Sequence, residues 1–430
     1  MEEILVHKGS SSESAHLLRL ANDILNDTTR IIRYLNTHER LTQSFARNST
    51  ERLETDEYNS VRNSLIANLE DLKYLIEGPR NAMRTFLRLG NDLAALQVAF
   101  EFELFRLIPR DGDMDVAQLA LEAGMDEDRA CRVLRMLATH RIFIETTPRS
   151  FAHTPSSILF HDDEELMCTG QYIMDEFFKA ASESASCIRA APQVSSSVHS
   201  PFATRHGVPL FKYYEQHPDR AARFAKAMAG WTKLDRQVDV KGGFPWGNLQ
   251  GTVLDVGGGS GHVSMALAQE FPQLNFIVQD GSAEMLAEGT MLKKTLPGEV
   301  SRRVSFMRHD FFESQTVRNV SAVLVRQVTH NWTGEDVVRI LRAIIPTLEG
   351  SKRPTPLLIN DTVMPEPREL PLHEERVYRN LDMMMFVCLG SKQRTRSEFA
   401  ALLEKADERF SICNVYTDGN MSMLEIYLQS

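Results

Sequence analysis

Two periodicities alternate along the chain. From residue 13 to about residue 90, apolar side chains recur at three- and four-residue spacing: Leu17, Leu18, Leu20, Ile24 and Leu25, then Leu65, Leu69, Leu72 and Leu75, with a polar and charged stretch between. That spacing lines one face of a helix and predicts two helices, the second ending at Gly78-Pro79. With no catalytic constellation of its own, this extension reads as a packing or dimerisation element. Leu93 to Leu107 predicts one strongly apolar helix. Val116 to Thr146 reads as a helix, a turn at Gly124, a second helix capped by Asp126, and a strand. Ile142–Thr146 and Phe151–Thr154 flank Pro148-Arg149-Ser150 as the strands of a short β wing would. Pro192–Gly207, rich in serine and proline, predicts a linker or exposed loop. Phe211–Trp231 predicts a helical stretch leading onward.

From Thr252 the pattern changes. Short β-rich runs, TVLDVG, NFIVQD, VSFMRHD, AVLVRQV and PLLINDTV, alternate with helical stretches. That alternation predicts a doubly wound, mainly parallel sheet. The last segment, ICNVYTDGNMSMLEIYL, predicts two antiparallel strands at the sheet edge, joined around Asp418-Gly419. The fold class is therefore an α/β Rossmann-like domain with an antiparallel C-terminal strand, preceded by an α-helical and winged-helix dimerisation domain. The expected boundaries are a helical extension over 1–90, a winged-helix-like domain over 91–200 and the cofactor-binding domain over 201–430.

Composition narrows the function classes. The 430 residues are 43% hydrophobic and 25% charged, with a formal net charge of −10. An acidic chain lacks the basic footprint that nucleic acid or an anionic membrane demands. The second wing helix carries Arg129, Arg132 and Arg135, which leaves a DNA-reading winged helix conceivable. Asp126, Glu127 and Asp128 precede them, and dimerisation is the preferred role. Five cysteines (Cys131, Cys168, Cys187, Cys388 and Cys413) lie far apart without a C-x-x-C pair. They read as reduced thiols, with neither a zinc site nor a disulfide framework, and no metal is expected. The opening MEEILVHKGSSSESAHLL has no signal architecture, and no apolar run reaches the roughly 18 residues of a membrane span. The expectation is a soluble, cytoplasmic protein.

The strand TVLDVG runs into Gly257-Gly258-Gly259-Ser260-Gly261, and a helix follows. Glycines permit close backbone approach to a ligand and left-handed dihedrals, and the following helix N-terminus faces that ligand. Such loops also serve dinucleotide folds. Two residues separate the cases. Asp255 sits inside the motif, where a pyrophosphate would be repelled, and Asp280 ends the next strand, placed to accept ribose hydroxyls. Both point to S-adenosylmethionine.

From about Leu93 to the C-terminus the chain resembles the plant- and fungal-type small-molecule O-methyltransferases. The shared segments are DVGGGSGH, IVQD, RHDFFES, VRQVTHNW, DTVMP and GSKQRTRSEF, in order and spacing. The resemblance implies that Gly257 and Gly259 underlie the methionine part, that Asp280 holds the ribose, and that Asp310 and Phe311 flank the adenine. Arg326 matches a basic cofactor-contacting position, and Trp332 also matches. A homodimer is implied. His330 matches the family's catalytic base and Asp361 one of the acids that orient it. The second acid falls at Gln393, where the plant enzymes carry Glu, and Asn331 stands where HDW is usual.

Methyl transfer is an in-line displacement that needs alignment and a nucleophilic oxygen. A phenol ionises near pH 10 and an ordinary histidine near 6.5, a gap of about 5 kcal/mol. A histidine base must therefore act as transfer proceeds. Glutamine can orient an imidazole but cannot stabilise imidazolium by charge. That departure supports a second reading. Some fungal proteins of this fold keep the cofactor as a fixed charge and perform dehydrations or pericyclic cyclisations, and His161 matches a histidine they use, with Thr232, Arg326 and Gln327 as further polar groups. A third reading is a catalytically silent winged-helix interaction protein. The preferred expectation is an S-adenosylmethionine-dependent O-methyltransferase acting on a phenolic or enolic hydroxyl of a small aromatic, polyketide or pyridone secondary metabolite. The acceptor pocket is expected to draw on Met174, Phe177, Phe178, Trp231, Thr232, Met384, Met385 and Phe386, although methionine-rich helical stripes also serve as plain core.

Overall fold

The computed structural model describes residues 11–40, 43–49, 55–234, 240–419 and 421–429. The first ten residues, on which the reading of a missing leader rests, lie outside the described residues. The chain divides into two compact units. One comprises Met1–Lys179, Tyr214–Arg236 and Pro371–Glu375; the other comprises Ala180–Tyr213, Gln237–Leu370 and Arg376–Ser430.

The first unit opens with α1 (Ser11–Thr37) and α2 (Asp56–Phe86), which pack on each other. The Thr55 side chain caps α2 by accepting from the Tyr58 N–H. The sequence predicts that this helix stops at Gly78-Pro79, but it only breaks there. Gly78 takes φ 69° and ψ 165°, and the helix resumes through Phe86. Proline suits the first turn of the resumed segment, because its φ is helical and its missing N–H would have no partner. The single helix expected over Leu93–Leu107 is likewise two, α3 (Leu89–Glu101) and α4 (Leu104–Leu107), separated where Glu103 turns left-handed at φ 51°.

The wing forms as its sequence pattern predicts. It consists of β1 (Met114–Asp115), α5 (Val116–Ala123), α6 (Glu127–Thr139), β2 (Phe143–Thr147) and β3 (Ser150–His153), with strand order β1-β3-β2. Asp115 and Asp126 accept from backbone N–H groups at the starts of α5 and α6, which satisfies donors that have no partner inside the helix. Phe105, Leu119, Leu134, Phe143 and Phe151 are fully buried within the same core. Two α6 arginines are already paired: Arg132 with Asp128 at 2.8 Å, and Arg135 bidentately with Glu145 at 2.7 and 3.0 Å.

Next come α7 (Pro155–Asp162), α8 (Glu164–Tyr172) and a π-helical turn over Ile173–Phe177. The stretch Phe211–Trp231, read as one helix, breaks at His217 into Leu210–Gln216 and Pro218–Leu234. Helix Pro218–Leu234 lies close on α8, because a Cβ at Gly230 would meet the Glu165 carbonyl oxygen at 2.2 Å.

The second unit is built on a seven-stranded sheet. Its strands are β4 (Gly251–Val256), β5 (Leu274–Asp280), β6 (Val304–Arg308), β7 (Ala322–Arg326), β8 (Leu357–Asp361), β11 (Phe410–Asp418) and β12 (Met421–Leu428), in the order β11-β12-β8-β7-β4-β5-β6. Strands β8 to β6 are mutually parallel, and β12 and β11 are antiparallel, as the terminal hairpin signal predicts. The two short strands β9 (Val363–Met364) and β10 (Arg394–Thr395) pair separately. Side chains alternate between two cores: Leu254, Val323, Val325, Leu357 and Ile359 enter one, while Val253, Leu324 and Leu358 enter the other. A central parallel strand buries both faces, so it reads as a continuous apolar run. Pro192–Gly207 is loop only as far as Ser200, which caps a short helix, Pro201–His206, whose Phe202 is fully buried. Among the described residues, no helix is long and apolar enough to cross a membrane.

Candidate functional site

The polar residues of interest in the second unit end neighbouring strands at one edge of the sheet. Asp361 ends β8, Arg326 ends β7, Asp255 lies one residue before the end of β4, and Asp280 ends β5. In a doubly wound sheet this carboxyl edge is where ligands bind.

The loop after β4 is shaped by its glycines. Gly257, Gly259 and Gly261 adopt φ of 74°, 57° and 73°, a region that favours glycine. A Cβ at Gly257 would lie 2.8 Å from Val328 Cγ2. The loop is pinned to the end of β5: the N–H groups of Gly257 and Gly258 donate to the Gln279 carbonyl, and the Gly259 N–H donates to Asp280 Oδ2 at 3.0 Å. The Ser282 N–H donates to Asp280 Oδ1 at 2.9 Å. Each carboxylate oxygen keeps a second lone pair, so Asp280 can accept further donors.

Asp255 sits differently from its expected place among the cofactor contacts. It is 2% exposed, accepts from the Ser264 hydroxyl at 2.6 Å, and lies where a Cβ at Gly258 would meet its carboxylate at 2.5 Å. It braces the loop from beneath. Burial pushes its carboxyl up to about 6, against the Ser264 hydrogen bond and the Arg326 charge, with the Asp280 charge adding to the rise. The folded protein therefore holds this proton to higher pH than the unfolded chain. Stability from this group is complete below about pH 4 and is lost as pH rises through about 6. The loss is up to about 3 kcal/mol. Asp255→Asn is expected to flatten that slope, as read by urea unfolding at about pH 4 and about pH 7.

Arg326 is half-buried. One terminal nitrogen donates to Gln327 Oε1 at 2.6 Å, while its Nε is buried with no hydrogen-bond partner. Burial lowers its pKa, and the negative charges of Asp255 and Asp361 oppose that fall. Phe311 packs near Gly257, at 3.6 Å from the position a Cβ would take, and meets Trp332 edge-on at 5.7 Å. Asp310 is exposed and accepts from the Phe312 N–H. A glycine cradle, an aromatic wall, an acid with spare acceptors and an unsatisfied guanidinium fit a ligand with a ribose, a base and a carboxylate. Asp280→Ala removes the anchor of Gly259 and the carboxylate expected to accept from the ribose. Charge-assisted hydrogen bonds are worth about 1.5–3 kcal/mol each, so cofactor affinity is expected to fall by about 100-fold or more, measurable by calorimetric titration.

His330 lies on the 3₁₀ turn Thr329–Asn331 after β7. Its Nδ1 is 2.5 Å from Asp361 Oδ1, and its backbone N–H donates to Asp361 Oδ2 at 3.2 Å. The Thr329 hydroxyl donates to the same oxygen at 2.6 Å. Asp361 is wholly buried, which opposes ionisation. The His330 charge, with hydrogen bonds from His330, Thr329 and the Thr362 backbone, outweighs that and holds the carboxyl below its usual range. An ionised carboxylate only accepts, so Nδ1 carries a hydrogen, and in the neutral imidazole Nε2 presents its lone pair. The His330 side chain is 16% exposed.

Gln327 and two residues outside the sequence-based set, Ser391 and Arg394, fix this turn. Gln327 takes a left-handed φ of 52° at the exit of β7. The Arg394 guanidinium, 2% exposed, donates to the carbonyls of Thr329 and Trp332 at 2.8 and 2.7 Å, and the Ser391 hydroxyl donates to the His330 carbonyl at 2.6 Å. Gln393 was expected to orient the imidazole, yet no hydrogen bond joins it to His330. Its backbone N–H donates to Asp382, and its Oε1 is buried without a partner. Asn331 donates to the Gln327 carbonyl.

The other expected residues are distributed between the units. Met384 and Met385 lie half-buried on helix Leu372–Leu389 in the second unit. The first unit holds His161, Met174, Phe177, Trp231 and Thr232. Met174 is 6% exposed and belongs to the core of that unit, so it packs rather than forming an open wall. Phe177 and Trp231 are half-buried; the exposed Thr232 returns its hydroxyl to the Ala229 carbonyl. The Nδ1 of His161 is 2.8 Å from Asp162, and its ring stands edge-on to His153. Among the described residues, no group of three or more acidic, histidine or cysteine side chains could hold a metal.

Comparison with known proteins bears on this arrangement. The O-methyltransferase domain model matches residues 189–408, and the O-methyltransferase dimerisation domain model matches residues 92–163. The chain is 52% identical over 423 residues to O-methyltransferase sol2 of Alternaria solani, covering 98% of this chain and 97% of that protein. It is 31% identical over 339 residues to O-methyltransferase aunD of Aspergillus niger, covering 76% and 78%. The crystal structure of OxaC in complex with SAH and oxaline shares the fold at a TM-score of 0.76 and 19% identity, over 97% of this chain and all of that one. The LepI complex with SAM does so at 0.70 and 18%, over 95% and 100%.

Proposed function

The chain belongs to the S-adenosylmethionine-dependent small-molecule O-methyltransferases of secondary metabolism, and on that premise we propose that His330, held by Asp361, is the general base that deprotonates a phenolic or enolic hydroxyl. The observation that carries this reading is the 2.5 Å contact between His330 Nδ1 and Asp361 Oδ1. It fixes the tautomer whose Nε2 can take a proton. When bound, S-adenosylmethionine supplies a methyl group on a positively charged sulfur. Asp280, Gly257, Gly259 and Arg326 are the groups that would hold it, with Phe311 and Asp310 beside the base.

The acceptor oxygen loses its proton to Nε2 as it attacks, and the imidazolium formed is stabilised by the buried Asp361 carboxylate. Arg394 and Ser391 keep the turn in place, so the base does not have to reorganise. The matched dimerisation segment supports a homodimer. The acceptor class is a small aromatic, polyketide or pyridone metabolite; a Cladonia grayi relative, 31% identical over 364 residues, is named as an O-methyltransferase of the grayanic acid biosynthesis cluster. The test is the pH dependence of kcat/KM for methyl transfer. An ascending limb that is lost in His330→Ala, leaving only a rise at the higher pH where the acceptor hydroxyl itself ionises, supports the base; an unchanged profile removes it.

A further inference from the structure

Helix α2 carries an apolar stripe that none of the described residues covers. Leu69, Ile76, Met83 and Leu87, at seven- and four-residue spacing, are between 46% and 76% exposed. The other side of the same helix is already used, since Tyr58 and Val61 are buried where α2 packs with α1. Exposed patches of this extent mark interaction sites. The stripe runs on through Leu89 and Leu93, at 39% and 37%, into the segment that matches the dimerisation domain.

The charges on α2 are asymmetric about its break. From Gly78 to Asn91 the chain has Arg80, Arg84 and Arg88 and no acidic residue. All three arginines are exposed, and with Met83 and Leu87 they line a shallow depression. From Leu65 to Glu77 it has Glu70, Asp71 and Glu77 and a single lysine, Lys73, which lies 3.9 Å from Glu77. A helix that is acidic in one half and basic in the other is self-complementary when two copies run antiparallel, because each half then meets its opposite twice. A two-fold interface requires this property.

We propose that α2 pairs antiparallel with α2 of a second copy of this chain, across a two-fold axis near Gly78. The pairing buries the stripe and sets Glu70, Asp71 and Glu77 against the partner's Arg80, Arg84 and Arg88. It extends the dimer interface into a segment that the matched dimerisation domain does not include. This rests on the homodimer reading above.

Sedimentation of the full chain tests it. The native protein sediments at twice the monomer mass. Met83→Glu with Leu87→Glu weakens the dimer, so that half that mass is seen at concentrations up to about 100-fold above the native dissociation constant. Two charge-reversed chains, one with R80E, R84E and R88E and one with E70K, D71K and E77K, each dimerise more weakly than the native chain. Mixed in equal amounts, they form dimers of near-native affinity. The mixture also shows that both chains are folded. Should either reversed chain fail to fold, Ile76→Cys in a Cys413→Ser background decides: oxidation links the native-like dimer through position 76. A monomeric native protein overturns the homodimer reading and this proposal together. A dimeric native protein whose reversed chains each keep native affinity, a mixture no tighter than either reversed chain alone, or an Ile76→Cys dimer that does not cross-link, overturns the α2 pairing alone.

Discussion

His330→Ala is expected to lower kcat for methyl transfer by about 10²–10⁴-fold, the usual range for removing a general base. Cofactor affinity is expected to stay within about threefold of native, because the loop, Asp280 and Arg326 make no hydrogen bond to the imidazole. The loss arises because, on this proposal, Nε2 is the proton acceptor, while the imidazole is held by its Nδ1 hydrogen bond to Asp361. Residual turnover should rise with pH as the acceptor hydroxyl ionises unaided. Steady-state kinetics and calorimetric titration of the same variant separate the two effects. A variant that loses cofactor affinity in step with kcat would assign His330 to the cofactor site.

Asp361→Asn is expected to be nearly as damaging, on the order of 10³-fold in kcat. The carboxylate accepts from His330 Nδ1, the His330 N–H, the Thr329 hydroxyl and the Thr362 N–H. An amide in its place can offer a donor to Nδ1, which favours the tautomer with the hydrogen on Nε2, and it cannot stabilise the imidazolium. A fold cost accompanies this, about 1–3 kcal/mol for one mismatched buried hydrogen-bonding group. Because the native Asp361 carboxyl is held below its usual range, it stabilises the fold above the ordinary carboxylate pKa. That contribution fades as pH falls. Thermal unfolding of Asp361→Asn should therefore differ from native most at neutral pH and least in acid, while its kcat defect persists at every pH where it is folded.

What the sequence made legible follows from which interactions have a sequence signature. The parallel strands were readable because each is a short apolar run ended by a polar residue, and those end residues are the ones that gather at the carboxyl edge. Asp126 signals its helix because a cap acts within three residues. Long-range ties are different. Arg394 lay inside the quoted motif GSKQRTRSEF, but its partners are carbonyls of Thr329 and Trp332, more than sixty positions away, and a carbonyl has no residue identity to read. Gln393 misled for a related reason. Its residue type permits a hydrogen bond to an imidazole, but the chain spends its N–H on Asp382 and leaves its amide oxygen unpaired. Asp255 was placed in the correct loop, but sequence spacing does not show that its carboxylate is buried against Gly258 and bonded to Ser264. Periodicity also ran past Glu103 and stopped short at Pro79, because a single left-handed residue ends a helix without changing the apolar spacing around it.

The central claim is that the bound cofactor surrenders its methyl group to an oxygen activated by His330. The most direct measurement is the stoichiometry of S-adenosylhomocysteine against product, with a methyl-labelled cofactor and a panel of phenolic and pyridone acceptors. The account predicts one S-adenosylhomocysteine and one labelled methyl ether per acceptor converted. An acceptor converted with neither label incorporated nor S-adenosylhomocysteine released would contradict it.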